Sequence, residues 1–291
     1  MSADSVLDIF HLSRIGAEAE HDGHRLLSRI GRPAGPGVCI SSQCQGETLT
    51  FWVPEADWCA WLAPQLALSS AEYVPDELRP LLAAWTLAPL HDFLQAQGLP
   101  GFSSAECKAA LAPDSDNWCI KVQMGNHCLP LYLVNTPVEW RRSALATFSP
   151  NPEQIHELGL GLGWCILPER DWSQVCVGDA LPLHGMTNSL DSFWLHPAVS
   201  PGRIRLLEAD HAVVDDDSKG VFDVPPDTLC LAVEAARAVI TADELARWTL
   251  GRQITLQTTA LPVLKLTSDK GLVAVGQLLQ LEEKWAVQIC A

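Results

Sequence analysis

Apolar residues in the first half of the chain recur with two different periods. A period of two, typical of strands with one buried face, predicts four strands, at residues 37–41, 48–53, 118–122 and 128–134. Gly46-Glu47 favours a hairpin between the first two strands, and Gly125-Asn126 is a turn signal between the last two.

A helical period marks two segments between these strands. Residues 54–66 predict a helix with Trp58, Trp61 and Leu62 on one face. Asp76 is suited to cap a second helix, and Pro89 should kink or end it. The apolar positions of the second helix are Leu78, Leu81, Leu82 and Trp85. The spacing of Trp58, Trp61 and Trp85 predicts core packing. Because strands and helices are both predicted, residues 1–150 are expected to form an α+β domain.

The second half contains an internal repeat. Residues 166–183 align without a gap to residues 239–256, at an offset of 73 positions. In each copy a strand is expected to end before a short helix, which Pro168 or Thr241 would begin. Gly178 or Gly251 would then permit a tight turn into the next strand.

Each copy is followed by further strand patterns. These lie at residues 192–196 and 203–207 in the first copy, and at 261–266 and 272–289 in the second. A unit of about 60 to 70 residues is small for an independent core, so the copies should bury their apolar faces against each other or against another chain.

Two segments interrupt the folded patterns. Pro150 and Pro152 mark a first boundary, and residues 210–226 are rich in acid, Ser, Gly and Pro, as solvated linkers are. The predicted organisation is therefore an N-terminal domain at 1–150, a first module at 151–208, an acidic linker at 209–226 and a second module at 227–291.

Composition narrows the classes of partner. The formal net charge of −16 disfavours nucleic acids and anionic lipid surfaces, and favours basic protein surfaces. None of the ten cysteines lies in a C-x-x-C, and many lie in apolar runs, so reduced core thiols are expected. The first residues have no basic or long apolar stretch, so no signal peptide and no membrane insertion are expected.

Three short motifs could be interpreted as chemical sites, but each also has a structural explanation. Residues 159–163 alternate Gly and Leu, which fits a strand with one crowded face better than a phosphate loop. His127 and Cys128 would point to opposite faces of a strand. His21, Asp22 and His24 could form a weak metal site, but a solvated polar loop is the ordinary interpretation. We therefore predict no cofactor, no metal and no catalytic residue.

The end of the chain resembles a known family of modules. Residues 276–289, GQLLQLEEKWAVQI, are similar to the end of SpoA-type (FliN-like) domains, and both repeats resemble the strand–helix–Gly-turn–strand unit of that domain. A divergent N-terminal half followed by two SpoA modules resembles the type III secretion SctQ family (YscQ, HrcQ, SpaO-like). Ala286, Trp285 and Arg252 depart from the usual pattern.

This resemblance implies a fold and a function. The fold would be two β-rich SpoA-type modules joined as an intertwined, β-barrel-like pair. The function would be that of a cytoplasmic scaffold, peripheral at the inner face of the inner membrane, in the C-ring or sorting platform. The implied partners are an SctL-like ATPase regulator at the modules, an SctK-like adaptor at the N-terminal half, and chaperone–effector complexes. A separate C-terminal SpoA fragment would be a further partner, if an internal start near Val213 or Val214 produces one.

The residues expected to form the module-pairing and partner interface are apolar or glycine. They are Trp164, Ile166, Leu167, Val177, Gly178, Leu181, Leu183, Val239, Ile240, Leu250, Gly251, Ile254, Leu256, Gly276, Trp285, Val287 and Ile289. Core packing is the alternative for Trp285. Aspartate at Leu256 or Val287 should abolish pairing, because it would bury an unpaired charge. A flagellar switch or chemotaxis component with the same modules, and an unrecognised enzyme, remain the alternatives.

Overall fold

The computed structural model describes residues 8–187, 189–196, 202–216, 227–268, 271–282 and 284–291. The chain divides into two compact units. One is Arg14–Asn151, and the other comprises the described residues before Arg14 and after Asn151. Both contain an antiparallel sheet, and strands predominate over helices in the described residues.

The N-terminal unit is built on a seven-stranded sheet. In chain order its strands are β1 (Glu18–His21), β2 (His24–Gly31), β3 (Pro36–Cys44), β4 (Glu47–Pro54), β5 (Ser104–Leu111), β6 (Asn117–Met124) and β7 (His127–Asn135). Their order across the sheet is β1-β2-β6-β7-β4-β3-β5. Both predicted turns are confirmed, because β3 pairs with β4 and β6 with β7 as adjacent antiparallel strands.

The helices are α1 (Ile9–Arg14), which begins just before this unit, and α2 (Glu55–Leu62), α3 (Arg79–Ala96) and α4 (Val138–Ala146). Helix α2 lies against β3, β4 and β7. Its predicted core face is confirmed, because Trp58 and Leu62 are buried and the Trp58 indole N–H donates to Thr86 Oγ1 at 2.8 Å.

Helix α3 differs from its prediction at Asp76. Asp76 opens a 3-10 turn and pairs with Arg79 at 3.0 Å, and it does not cap the helix. Pro89 is buried inside α3, which continues to Ala96. Trp85 is 39% exposed, so its predicted core role was wrong. The buried face of α3 instead follows Leu82, Leu87, Leu90 and Phe93.

The helical share of this unit was overestimated. Strands β1, β2 and β5 were not predicted, because polar side chains interrupt their period. In β2 only Leu26 and Ser28 are buried, and in β5 only Cys107 is buried. The N-terminal unit is therefore mostly β, with helices beside its sheet.

The second unit contains a ten-stranded sheet. In chain order its strands are β8 (Ile155–Pro168), β9 (Ala180–Pro182), β10 (Ser192–His196), β11 (Arg203–Leu206), β12 (His211–Asp216), β13 (Thr228–Thr241), β14 (Gln253–Thr255), β15 (Gln257–Ser268), β16 (Gly271–Leu281) and β17 (Lys284–Ile289). Two short helices, α5 (Glu169–Trp172) and α6 (Ala242–Ala246), follow β8 and β13. The order across the sheet is β14-β12-β11-β10-β8-β13-β15-β16-β17-β9.

The two copies of the repeat are visible in this order. Each begins with a 14-residue strand, a short helix and a three-residue strand. These elements start at residues 155, 169 and 180 in the first copy, and at 228, 242 and 253 in the second, which confirms the offset of 73. Three further strands follow in each copy, β10–β12 and β15–β17.

Part of the predicted acidic linker is a strand. β12 pairs with β11 on one side and with β14 on the other, and its residues Ala212 and Val214 are buried. Asp215 lies 3.3 Å from the Arg203 guanidinium, so this acid is paired within the fold. The linker prediction was wrong for this stretch because the acidic composition concealed a short alternation of buried and exposed positions. The rest of that segment, 217–226, lies outside the described residues.

Candidate interface between the two repeats

The interface is built on a long central strand pair. β8 and β13 run antiparallel from Ile155 opposite Thr241 to Pro168 opposite Thr228. Ile240 is 2% exposed, and it lies opposite His156. The two copies thereby share backbone hydrogen bonds on both sides of an irregularity at Glu234, near the middle of the strands.

The first copy also gives its short strand to the far edge of the second copy. β9 pairs with β17, where Leu181 lies opposite Val287. Gly178 N–H donates to Ile289 O at 2.8 Å, and Ile289 N–H donates to Asp179 O at 2.9 Å. At the other end of the strand, Leu183 N–H donates to Trp285 O at 2.9 Å.

The second copy makes the reciprocal contact with the first. β14 pairs with β12, where Ile254 lies opposite Ala212. Gly251 N–H donates to Val214 O at 2.9 Å, and Val214 N–H donates to Arg252 O at the same distance. Leu256 N–H donates to Asp210 O at 3.1 Å. The two copies therefore exchange strands with the same hydrogen-bond pattern, related by a pseudo-two-fold axis.

Both exchanged strands depend on a glycine. Gly178 and Gly251 have φ angles of 100° and 77°, a conformation that residues with a Cβ adopt at a cost. Each turns the chain so that its own N–H meets the last strand of the other copy. The predicted role of these glycines in the turn is confirmed, and the backbone contact with the other copy is an addition to it.

Most of the predicted interface residues lie in the interior of this unit. The buried ones are Trp164, Leu181, Leu183, Ile240, Ile254, Leu256, Val287 and Ile289. Half-buried ones are Ile166, Leu167, Val239 and Trp285. Gly276 lies opposite Ile289, and a Cβ there would fall 2.6 Å from Gln288 O, so the close approach of β16 and β17 requires glycine.

Two predicted residues do not contribute apolar contact. Val177 and Leu250 are 69% and 61% exposed. Each directly precedes its turn glycine, and their side chains point to solvent because the turn reverses the chain there. Val177 and Leu250 therefore share a position before the turn glycine, and their match in the alignment does not indicate burial.

An aromatic cluster fills one side of the central strand pair. Trp164 and Trp194 pack at 5.4 Å between ring centroids, against Ala232. Trp194 Nε1 donates to Gly185 O at 2.8 Å, and the Arg203 guanidinium lies 5.1 Å from the Trp194 ring centroid. Trp164 was predicted for the interface, and Trp194 was not.

A charged cluster lies further along the same strands, and sequence reasoning missed it. Glu234 on β13 is 1% exposed, and its Oε1 lies 2.9 Å from His196 Nδ1. Thr267 Oγ1 donates to the same oxygen at 3.0 Å, and Arg237 Nη2 lies 3.0 Å from Oε2. The available signal was one acid inside the apolar run of residues 228–241.

The pKa of Glu234 reflects two opposing effects. Burial alone would raise this pKa, but the hydrogen bond from His196 and the charge of Arg237 outweigh burial and lower it. Glu234 is therefore a carboxylate at neutral pH. It lines a cavity of about 340 Å³ with Glu157, His196, Arg237 and Lys265 among the other lining residues.

The remaining chemical candidates are not assembled into a site. All ten cysteines are free thiols, and burial raises the pKa of Cys107 to about 11 and of Cys119 and Cys165 to about 12. Residues 159–163 lie within β8, as predicted. Among the described residues, the group of three His, Cys, Asp or Glu side chains whose ligand atoms come close enough to hold a metal ion is Glu208, Asp210 and His211, and all three are exposed.

The comparisons with known proteins concern the N-terminal part of the chain. Residues 11–143 match the family model described as the SepQ protein N-terminal domain. No curated protein matches the chain. In the part of the chain that the structure describes, no helix is both long and apolar enough to cross a bilayer. This N-terminal part, which is somewhat less than half of the chain, is therefore similar to a domain of the type III secretion SctQ family.

Proposed function

We propose that this protein is a cytoplasmic scaffold of a type III secretion apparatus, in its C-ring or sorting platform. In this proposal the two copies are SpoA-type modules that bind the SctL-like ATPase regulator. The N-terminal unit binds the SctK-like adaptor, and the assembly recruits chaperone–effector complexes at the inner face of the inner membrane. Its work is protein–protein binding, without a cofactor.

The reciprocal strand exchange is the observation that carries the proposal. β9 and β14 each complete the sheet of the other copy, which is the intertwined arrangement that the SpoA resemblance implies. A pair built in this way presents one continuous sheet to a partner. The SepQ match supports secretion over the flagellar alternative, because it concerns the N-terminal domain, whereas SpoA-type modules are common to both systems.

An affinity pull-down from the native bacterium with mass spectrometry tests this function. Tagged wild-type chain is compared with Val287→Asp, which disrupts a side chain buried between β9 and β17, and with the matched control Val177→Asp, whose position is 69% exposed. We expect wild type and Val177→Asp to recover the ATPase regulator and Val287→Asp to lose it. Recovery of flagellar switch proteins, or equal recovery of the regulator by all three chains, would contradict the proposal.

A further inference from the structure

The pseudo-two-fold axis between the copies passes between Glu234 and Gly161. The register of β13 and β8 shifts on both sides of this pair, and Glu234 lies opposite Gly161. Gly161 and Glu234 are equivalent positions, since they are separated by the repeat offset of 73. At the axis, therefore, one copy places a carboxylate and the other places no side chain.

The first copy is shaped to receive this carboxylate. A Cβ on Gly159 would lie 2.6 Å from Glu234 Cδ, so the absence of a side chain there makes room for Glu234. His196 lies opposite Gly159 on β10 and contacts the carboxylate at 2.9 Å. Two positions of the first copy, Gly159 and His196, thus form the place that the Glu234 carboxylate occupies, and Gly161 leaves the position opposite Glu234 without a side chain.

The second copy lacks these three features at its equivalent positions. Ala232 stands where the first copy has Gly159, and Glu234 itself stands where the first copy has Gly161. Thr267 lies opposite Ala232, as His196 lies opposite Gly159, so threonine takes the place of the histidine. The copies share a backbone plan and differ at the axis.

Two second copies paired in this geometry would bring two Glu234 side chains face to face. Residues directly opposite in an antiparallel pair have Cβ atoms about 4.5–5.5 Å apart on the same face. Two buried carboxylates at that separation cannot both remain ionised without a large cost. The Ala232 methyl group would also occupy the room that Gly159 leaves open.

We propose that Glu234 specifies pairing between unlike copies and opposes pairing of the second copy with itself. This inference rests on the proposed function of the repeats as pairing modules. The partner that fits the second copy is a module with glycine at the axis and a histidine on the strand beside it. The first copy of this chain meets that description, and a separate second copy would seek the first copy of another chain.

The test recreates the facing carboxylates within the full-length chain. Gly161→Glu puts a second acid opposite Glu234, and Gly161→Gln is a neutral control of nearly the same shape. A Cβ at residue 161 would lie 3.6 Å from Trp194 O and Val233 O, which is ordinary contact, so the backbone tolerates a Cβ at this position in both variants. Thermal unfolding is measured between pH 5 and pH 8.

At pH 7 we expect Gly161→Glu to unfold at least about 5 °C below Gly161→Gln. Facing carboxylates raise the pKa of one of them, so the gap should close as pH falls and widen as pH rises. The charged and titratable groups that line the cavity with Glu234 are Glu157 on β8, His196 on β10, Arg237 on β13 and Lys265 on β15. They are common to both variants, so they largely cancel in the difference.

The double variant Gly161→Glu with Glu234→Gln removes one charge and keeps the bulk. It should unfold within about 2 °C of Gly161→Gln at pH 7. Equal unfolding temperatures for Gly161→Glu and Gly161→Gln throughout the pH range would overturn the proposal. So would a double variant that is no more stable than Gly161→Glu.

A second measurement decides the matter if neither single variant at residue 161 folds. Wild type, Glu234→Gln and the exposed control Glu157→Gln are unfolded and refolded at high concentration, and dimers are counted by light scattering after size exclusion. The dimer fraction should increase only for Glu234→Gln, because only this variant removes the charge at the axis. Equal dimer fractions for all three chains would refute the proposal that Glu234 opposes pairing of the second copy with itself. No secretion partner is present, so these results and the pull-down fail independently.

Discussion

Replacing Val287 by aspartate tests the packing of the exchanged strand most severely. Val287 is 0% exposed and lies opposite Leu181 of β9 and Leu278 of β16. Losing the burial of a valine side chain costs about 1.5–3 kcal/mol. An uncompensated buried charge adds about 3–5 kcal/mol. The total, about 5–8 kcal/mol, is comparable with the whole stability of a typical domain.

Thermal unfolding followed by circular dichroism measures this loss. At about 2–4 °C per kcal/mol, the expected fall in Tm for this unit is at least about 10 °C. Val177→Asp introduces the same residue at a 69% exposed site and should change stability by less than about 0.5 kcal/mol. If the two variants unfolded at the same temperature, the burial of Val287 against β9 would be refuted.

Three further predictions concern the turn glycines, the buried Glu234 and the cysteine thiols. Alanine at Gly178 or Gly251 should destabilise the chain by about 1 kcal/mol, because both have positive φ, and urea unfolding that gave no loss at either site would contradict this. The lowered pKa of Glu234 means that its charged contacts stabilise the fold above the unfolded-state pKa of about 4.3, and are lost as pH falls through the lower folded value. Unfolding of Glu234→Gln should therefore depend less on pH between about 5 and 3 than unfolding of wild type. A maleimide should label exposed Cys176 quickly and Cys119, whose pKa burial raises to about 12, only on unfolding, whereas equal rates by mass spectrometry would contradict that burial.

Local patterns in the sequence predicted the elements whose signal lies in neighbouring residues. The hairpin of β3 and β4 follows from alternating Leu49, Phe51 and Val53 beside a glycine turn. The offset of 73 was readable because Gly178 and Gly251 serve the same backbone turn in both copies. Such features depend on the period of burial and on φ, which the local sequence constrains.

Other elements depend on partners that are distant in sequence. β12 is a strand because β11 and β14 flank it, and its acidic composition suggested solvent instead. Trp85 fits the helical period, yet the part of α3 that packs on the sheet is the face of Leu82 and Leu87. In both cases the local pattern is compatible with a buried or an exposed position, and tertiary contacts determine which of the two is found.

The candidate interface shows the same division. Buried apolar positions such as Leu256 and Val287 were among the predicted interface residues, through the repeat alignment and the SpoA resemblance. Sequence comparison of the copies did not show that β9 and β14 each pair with a strand of the other copy. The alignment shows which residues are equivalent, and it does not show which strands are neighbours. The role of Glu234 was missed for a related reason, since its partners His196 and Gly159 come from the other copy.

Amide hydrogen exchange on the full-length chain tests the reciprocal strand exchange most directly. The account predicts slow exchange for Gly178, Ile289, Val214 and Gly251, whose N–H groups donate between copies. It also predicts that Val287→Asp speeds exchange at Gly178 and Ile289, while Val177→Asp leaves both protected. Fast exchange at these amides in the wild-type chain, comparable with that of exposed loops, would contradict the pairing on which the proposed scaffold depends.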